Sequence, residues 1–194
     1  MVKKPKIIII MAAAVFAAAF SLHQAPAEIT PPPPISHLEA EPPSNLEIRF
    51  PSGEIAQVLR AVDGDTIEVE FADGRKEKVR YIGMNAPESV DPRRAVECFG
   101  KEAAAANAAL VGGREVRLVR DVSDRDKYGR LLRYVYLNDV AQTFINLELV
   151  RQGYAAAATY PPDIAHASEF RAAERAARAA GAGLWGGCSA NSWH

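Results

Sequence analysis

Short apolar runs in which apolar and polar positions partly alternate dominate the chain between residues 46 and 84. Three of these runs are rich in β-branched residues, as strands are, and they cover residues 55–59, 66–71 and 78–82. The dipeptides Asp63-Gly64 and Asp73-Gly74 separate the runs, and Asp-Gly is a strong turn signal. Because no helical pattern lies between them, this part of the sequence predicts a three-stranded antiparallel meander.

The second half of the chain alternates between helical and strand-like patterns. Apolar residues at helical spacing predict three helices, over residues 99–110, 144–152 and 167–180. The expected inward face of the first is Phe99, Ala103, Ala106 and Leu110, and that of the third is Phe170, Ala173, Ala177 and Ala180. Two more strands are expected over residues 115–119 and 131–136. This order favours an α+β fold, a five-stranded OB-fold β-barrel with three α-helices, over a parallel α/β sheet.

The residues before the barrel pattern predict export. Lysines at positions 3, 4 and 6 precede an apolar run over residues 7–22, and an A-x-A cleavage pattern ends at Ala27. We therefore expect a signal peptide over residues 1–27 and a protein that is secreted, periplasmic or in the cell envelope. An uncleaved membrane anchor is the alternative, although the run is short for a span of about 20 residues. Proline-rich residues 28–45 predict an extended linker, before a folded domain over 46–188 and a tail over 189–194.

The net charge excludes a protein that coats nucleic acid through a broadly basic surface. The 194-residue chain carries a formal charge of −1, and loss of residues 1–27 with their three lysines would bring it to −4. Proteins that bind nucleic acid through bulk charge are strongly basic. Any contact with nucleic acid must therefore be local, made by individual arginine and aromatic side chains.

The chain contains two cysteines, Cys98 and Cys188. In an exported protein an even pair predicts a disulfide, here between the start of the first helix and the segment after the third. Two buried free thiols are the alternative. A metal site is disfavoured, because neither cysteine belongs to a CxxC pair or has a pair of histidines nearby.

Acidic side chains gather at the breaks between the predicted strands. Asp63 and Asp65 flank Gly64, and two carboxylates across one glycine suit a hard cation that prefers oxygen ligands. For Asp63-Gly64 the alternative is an ordinary hairpin turn without a bound cation. Glu88 is expected just beyond a strand end, where Pro87 fixes the backbone, and the alternative for it is an acid at a helix N-terminus or on the surface.

Two arginines are expected beside this acidic cluster. Arg80 ends the third predicted strand, and Arg130 closes the polar turn over residues 126–130. The alternatives are a strand charge paired with Glu68 or Glu70 for Arg80 and a solvated hairpin charge for Arg130. Next to a cation site, one arginine can bind the ground-state phosphate and the other the extra charge of its transition state. The combination predicts a metal-dependent phosphodiesterase.

This pattern resembles the staphylococcal nuclease-like, or thermonuclease, family. The segments that carry the resemblance are residues 62–69, 80–88, 126–130, 149–153 and 183–185. They stand in the family's order and span nearly the whole expected domain. The resemblance implies an OB-fold barrel and a calcium-dependent endonuclease, which hydrolyses single-stranded DNA and RNA with little sequence preference and leaves 3′-phosphate ends. We expect the protein to be a monomer.

The resemblance also implies catalytic roles for individual residues. The calcium ligands would be Asp65, Asn85 and the backbone carbonyl of Ala86. Glu88 is similar to the residue that positions or deprotonates the attacking water. The phosphate-binding and transition-state arginines would be Arg80 and Arg130.

The remaining implied contacts are with the bound nucleotide. Lys127 and Tyr128 resemble residues that contact its terminal phosphate, and Tyr160 is the candidate for base stacking. Asn85 departs from the family, because it stands where an aspartate is usual and carries no negative charge. Fewer ligand charges weaken calcium binding. The alternative function is therefore a catalytically weakened domain of the nuclease fold that binds nucleic acid or a protein partner.

Overall fold

The computed structural model describes residues 52–89 and 95–189. The expected signal peptide (1–27), linker (28–45) and domain start at residue 46 lie outside the described residues, as does the expected tail except for Ser189. Within the described ranges, no helix combines the length and the apolar character needed to cross a membrane.

Five of the seven strands in the described part of the chain close into a barrel. In chain order the strands are β1 (Glu54–Asp63), β2 (Thr66–Phe71), β3 (Lys76–Tyr81), β4 (Met84–Asn85), β5 (Glu115–Val119), β6 (Leu131–Leu137) and β7 (Ala156–Ala157). The barrel order is β1-β2-β3-β6-β5, and every neighbouring pair is antiparallel except β3 and β6, which are parallel. The predicted meander and five-stranded barrel are therefore confirmed. The two-residue strands β4 and β7 pair outside the barrel and were not predicted.

Strand β1 is longer than the sequence pattern predicts, since it reaches Asp63 rather than residue 59. Its register with β2 shifts between Val58 and Arg60 and again between Ala61 and Asp63. Such irregularities bend a strand and interrupt its alternation of inward and outward side chains. This explains why the alternating pattern in the sequence stops early although the strand continues.

Alternate residues of the strands fill the barrel interior. On β2, Ile67, Val69 and Phe71 are buried, whereas Glu68 and Glu70 between them are partly exposed. The other strands contribute Val58, Val79, Tyr81, Val116, Leu118, Leu131 and Val135. Burying one large aliphatic or aromatic side chain stabilises a fold by roughly 1.5–3 kcal/mol relative to leaving it exposed. This core gives the loops at the barrel ends a rigid support.

Four helices are present in the described residues: α1 (Gly100–Val111), α2 (Ile145–Arg151), α3 (Ala167–Ala179) and α4 (Leu184–Gly187). The three predicted helices are confirmed. The four-residue α4 was not predicted, because one turn is too short to show a helical period. On α3 the predicted inward residues Phe170 and Ala177 are buried, but Ala180 is exposed because the helix ends at Ala179.

The inward face of α1 differs from the prediction. The buried residues are Gly100, Ala103, Asn107 and Val111, whereas Ala106 and Leu110 are partly buried and Phe99 precedes the helix. Asn107 accepts a hydrogen bond from the Tyr81 hydroxyl at 2.9 Å, and its Nδ2 donates to the carbonyl oxygen of Asp63 at 2.8 Å. These hydrogen bonds offset the cost of burying the amide. They also fasten α1 to the turn between β1 and β2.

The predicted disulfide between Cys98 and Cys188 is present, with the two Cα atoms 6.0 Å apart across 90 residues of chain. It joins the segment just before α1 to the residue that follows α4. Closing a loop of this length stabilises a fold by roughly 2–4 kcal/mol. The disulfide therefore fixes the two ends of the helical layer to each other.

Candidate active site

The strand pairing brings three loops to one end of the barrel. Thr66 at the start of β2 pairs with Arg80 near the end of β3, so the turn before β2 lies beside the loop after β3. Leu131 at the start of β6 pairs with Val79 in parallel, which places the loop before β6 at the same end. These loops and the strand ends next to them carry the acidic residues and arginines singled out in the sequence.

Gly64 lets the turn between β1 and β2 lie tightly against its neighbours. A Cβ built on Gly64 would lie 2.6 Å from the Cβ of Ala86 and 2.9 Å from the Cβ of Ala103, so any side chain would force one of them to move. The Asp63 carboxylate shapes the same turn by accepting a hydrogen bond from the Asp65 N–H at 3.0 Å. The turn is therefore held between α1 and the loop that follows β4.

Asp65 is buried and fully engaged at the centre of the site. Its Oδ1 accepts a hydrogen bond from the Thr66 hydroxyl at 3.1 Å, and its Oδ2 accepts one from the Ala86 N–H at 3.0 Å. Its Oδ2 also contacts Nη1 of Arg80 in an ion pair. A carboxylate that is 2% exposed requires such a partner, because an unpaired buried charge is costly.

Arg80 contacts both of the side chains expected to bind a metal. While Nη1 contacts Asp65, Nη2 donates a hydrogen bond to Oδ1 of Asn85 at 2.7 Å. Burial lowers the pKa of Arg80 to about 10, and the positive charge of Arg130 adds to the effect. The guanidinium therefore remains protonated at neutral pH and neutralises Asp65.

The donor atoms at this point suit a hard cation. The carboxylate oxygen of Asp65 and the amide oxygen of Asn85 converge on a single positive group, the guanidinium of Arg80. Oxygen atoms of this kind are the ligands that calcium and magnesium prefer. Across residues 52–89 and 95–189, no three His, Cys, Asp or Glu side chains are grouped closely enough to hold a metal. A cation here would therefore depend on amide and backbone oxygens beside Asp65.

Glu88 lies partly buried in the loop after β4, where the backbone around it is well fixed. Its N–H donates to Oε2 of Glu97 at 2.9 Å, and its own Oε1 accepts from the Ser89 N–H at 2.9 Å. Burial raises the pKa of Asp63, Arg80 opposes that rise, and the charge of Glu88 adds to it. Asp63 therefore lies within electrostatic range of both Arg80 and Glu88.

The loop before β6 orients Arg130 through an aspartate. Oδ1 of Asp126 accepts hydrogen bonds from the N–H groups of Tyr128 and Arg130 at 2.9 and 3.0 Å. Its Oδ2 accepts from Nε of Arg130 at 2.7 Å. Burial would raise the pKa of Asp126, but these bonds lower it overall, so it stays ionised. Nη1 of Arg130 reaches the Thr66 hydroxyl at 3.4 Å, beside Asp65.

A cavity of about 550 Å³ opens beside the two arginines. Its lining includes all of the predicted phosphate and nucleotide contacts: Arg80, Lys127, Tyr128, Arg130 and Tyr160. The two tyrosines are largely exposed, at 72% and 65% of their surface. The guanidinium of Arg130 and the ammonium of Lys127 lie 5.5 and 5.1 Å from the Tyr128 ring. Positive charge and aromatic surface thus occupy one cavity, and Arg80 links it to Asp65 and Asn85.

Three residues that position this site were not identified as functional residues from the sequence. Thr66 bridges Asp65 and Arg130, and Asp126 orients Arg130. Asp163 is 6% exposed, lines the cavity and accepts hydrogen bonds from the N–H groups of Val122 and Ser123 at 3.0 and 2.8 Å. Asp126 could have been recognised from its place at the start of a turn, which aspartate favours. The contacts of Thr66 and Asp163 come from distant parts of the chain and leave no local pattern.

A closed OB-type barrel with an acidic turn, two arginines and an aromatic cavity at one end defines an enzyme that acts on phosphodiesters. The family model described as "Staphylococcal nuclease homologue" matches residues 78–187. The chain belongs to this family, as the resemblance in its sequence predicted, and it is a nuclease of the family, a hydrolase of phosphodiester bonds.

Several curated proteins are similar to the chain over most of its folded part. The Thermonuclease of Staphylococcus intermedius is 37% identical over 142 residues, which cover 73% of this chain and 80% of that protein. The Thermonuclease of Staphylococcus hyicus is 34% identical over 129 residues, covering 66% of this chain and 74% of the relative. Endonuclease YncB of Bacillus subtilis is 37% identical over 129 residues, covering 65% of this chain and 59% of the relative.

Proposed function

We propose that the protein is an exported, calcium-dependent nuclease, which hydrolyses single-stranded DNA and RNA with little sequence preference and leaves 3′-phosphate ends. The observation that carries this proposal is the position of Arg80. It lines the cavity together with Arg130 and contacts the two oxygens, of Asp65 and Asn85, that converge on one cation. Relatives named as thermonucleases and as an endonuclease support a nucleic-acid substrate.

Asp65, Asn85 and the backbone carbonyl of Ala86 would hold the calcium ion in this proposal. When bound, calcium supplies a concentrated positive charge next to the phosphate and the water. Asn85 provides an oxygen without a charge, so we expect weaker calcium binding than an aspartate would give. The Asp65 side chain is already oriented, because both of its oxygens accept hydrogen bonds from the protein.

The other residues of the site have separate tasks. Glu88 would accept a proton from the attacking water at its carboxylate. Arg80 and Arg130 would donate hydrogen bonds to the non-bridging phosphate oxygens, whose negative charge increases in the transition state. Asp126 would keep Arg130 in the orientation that it already has, through the 2.7 Å bond to Nε. The bond from phosphorus to the 5′-oxygen would break as the bond to the water oxygen forms, and the 5′-oxygen would take up a proton from solvent, which gives a 3′-phosphate and a 5′-hydroxyl.

The proposed preference for unpaired strands follows from the cavity. A volume of about 550 Å³ is of the size that accommodates a small ligand such as one nucleotide. The exposed rings of Tyr128 and Tyr160 offer stacking surfaces, and stacking accepts any base. A base in a paired duplex is not available to stack there. Because all of these residues come from one chain, we propose that a monomer is active.

The purified domain should be assayed on matched single-stranded and duplex oligonucleotides of several sequences, with calcium and then with excess chelator. We expect rapid cleavage of the single strands, loss of activity on chelation and 3′-phosphate ends by mass spectrometry. Full activity in chelator would contradict the calcium requirement. Faster cutting of duplex, or one strongly favoured sequence, would contradict the proposed substrate.

A further inference from the structure

The backbone of Glu88 is held by Glu97, which lies nine residues further along the chain. The Glu88 N–H donates to Oε2 of Glu97 at 2.9 Å, and the Glu88 carbonyl oxygen accepts from the Glu97 N–H at 2.9 Å. Glu97 therefore engages both polar groups of the Glu88 backbone. Gly100 supports the same contact from α1, because a Cβ at this position would lie 2.5 Å from the Glu88 carbonyl oxygen.

The next residue along the chain connects Glu97 to the C-terminal part of the fold. Cys98 is bonded to Cys188, which directly follows α4. Helix α4 is itself anchored, since Leu184 is 3% exposed and its N–H donates to the carbonyl oxygen of Gly153 at 2.9 Å. The disulfide thus gives the Glu97 segment a covalent attachment to a fixed part of the molecule.

Phe99, which directly follows Cys98 in the chain, has a backbone conformation that phenylalanine rarely adopts. Its φ of 69° lies in the left-handed region, which costs free energy for a residue with a Cβ and persists only where the surroundings enforce it. Its ring stacks on Tyr154 with centroids 5.7 Å apart, and a Cβ on Gly187 would lie 3.1 Å from it. Cys98 directly precedes this residue, so the disulfide is one of the constraints that hold the segment between Glu97 and α1 in place.

We propose that Glu97 is a positioning residue for Glu88, and that the Cys98–Cys188 disulfide makes turnover depend on oxidation. This inference rests on the catalytic role of Glu88 under the proposed function. Two protein thiols would transfer two electrons and two protons to a disulfide oxidant, which leaves as two thiols, and a dithiol reductant would reverse the exchange. In a reducing compartment Glu88 is misplaced, so full activity arises only after export to an oxidising one.

The test compares the oxidised protein, the dithiol-reduced protein and the Cys98→Ser/Cys188→Ser variant on single-stranded DNA with calcium. We expect reduction and the double substitution to lower kcat about 10- to 100-fold, as a small misplacement of a catalytic group does. The KM should change little, and so should the Kd for a phosphorothioate oligonucleotide that resists cleavage. The reason is that Arg80, Tyr128 and Arg130 line the cavity without any contribution from Glu88 or the disulfide. Reoxidation should restore kcat.

Glu97 is tested separately by two substitutions. Glu97→Ala should lower kcat in the oxidised protein, whereas Glu97→Gln should retain it, because a glutamine oxygen can still accept from the Glu88 N–H. Glu102→Ala is the matched control, since Glu102 is an exposed acid in the first turn of α1, and it should leave kcat unchanged. A failure of glutamine to rescue the alanine defect would overturn the positioning role.

The outcomes separate this inference from the proposed function. An oxidised protein without calcium-dependent activity would overturn both. An active oxidised protein with an equally active reduced form would overturn the inference alone. The inference would also be overturned if reduction abolished both the activity and the near-ultraviolet circular dichroism at the assay temperature. The disulfide would then support the whole fold rather than the position of Glu88.

Discussion

Replacing Asn85 by aspartate is expected to tighten calcium binding about 10- to 100-fold. Oδ1 of Asn85 lies 2.7 Å from Nη2 of Arg80, and Oδ2 of Asp65 contacts the same guanidinium. A carboxylate at position 85 would therefore add a negative charge where the candidate ligand oxygens already converge.

The magnitude follows from two opposing effects. A carboxylate charge about 4 Å from a divalent cation contributes about 8 kcal/mol at the effective dielectric constant of about 20 that suits sites near a protein surface. The same carboxylate would strengthen the hydrogen bond from Arg80 by roughly 1–2 kcal/mol, and the bound cation must displace that bond. Desolvation of the new charge and of the cation removes most of the remainder. A net gain of roughly 1.5–3 kcal/mol corresponds to the expected change in Kd.

Isothermal titration calorimetry of calcium into the natural protein and Asn85→Asp measures this change. Asn138→Asp is the matched control, because Asn138 also accepts from an arginine, Nη2 of Arg117 at 3.0 Å. It follows the end of β6, whereas the site adjoins the start of that strand, so its added charge lies at the opposite end of the barrel. An unchanged or weaker affinity in Asn85→Asp, or an equal gain in the control, would show that Asn85 is not a ligand.

Three further predictions follow from the geometry. Glu88→Gln and Arg130→Ala should each lower kcat about 100-fold or more with native circular dichroism, whereas the exposed Arg151, which pairs with Glu148, should tolerate alanine without loss. Gly64→Ala should lower the free energy of unfolding by roughly 1–3 kcal/mol in urea titrations, because its Cβ would overlap that of Ala86, and an unaltered stability would contradict this packing. Hydrogen bonds from Arg125 lower the pKa of Glu77 from 4.5 to about 2, so its contribution is present above pH 4.5 and is lost as the pH falls to 2. Glu77→Gln should therefore lower the Tm clearly at pH 7 and much less at pH 2, where about half of the Glu77 side chains are protonated, and a difference at pH 2 as large as that at pH 7 would refute the assignment.

The sequence predicts the barrel well because the strands have one buried and one exposed face. On β2 the alternation of Ile67, Val69 and Phe71 with glutamates is visible in the residue types alone. The prediction is weaker where a polar side chain is buried. Asn107 reads as a surface residue of α1, and only its hydrogen bonds to Tyr81 and Asp63 explain why it points inward.

The candidate site shows the same division between local and long-range information. The turns that carry Asp65, Glu88 and Arg130 are marked in the sequence by glycine and proline, so the residues themselves could be identified. Their relative placement depends on pairings between distant strands, such as Thr66 with Arg80. The short strands β4 and β7 pair Asn85 with Ala156, and this pairing likewise fixes the loop after β3. Each of these strands has two residues, which are too few to form a recognisable strand pattern in the sequence.

Arg80 connects the two halves of the site, and this explains what an asparagine at position 85 achieves. In the free protein the guanidinium neutralises buried Asp65 and holds the amide oxygen of Asn85, while the same residue lines the cavity beside Arg130. A cation at the two oxygens and Arg80 compete for the same negative charge. Because a hydrogen bond to a neutral amide is weaker than one to a carboxylate, Asn85 releases Arg80 more easily than an aspartate would. In the proposed mechanism, the residue expected to weaken the hold on the cation would therefore also lower the cost of freeing Arg80 for a phosphate.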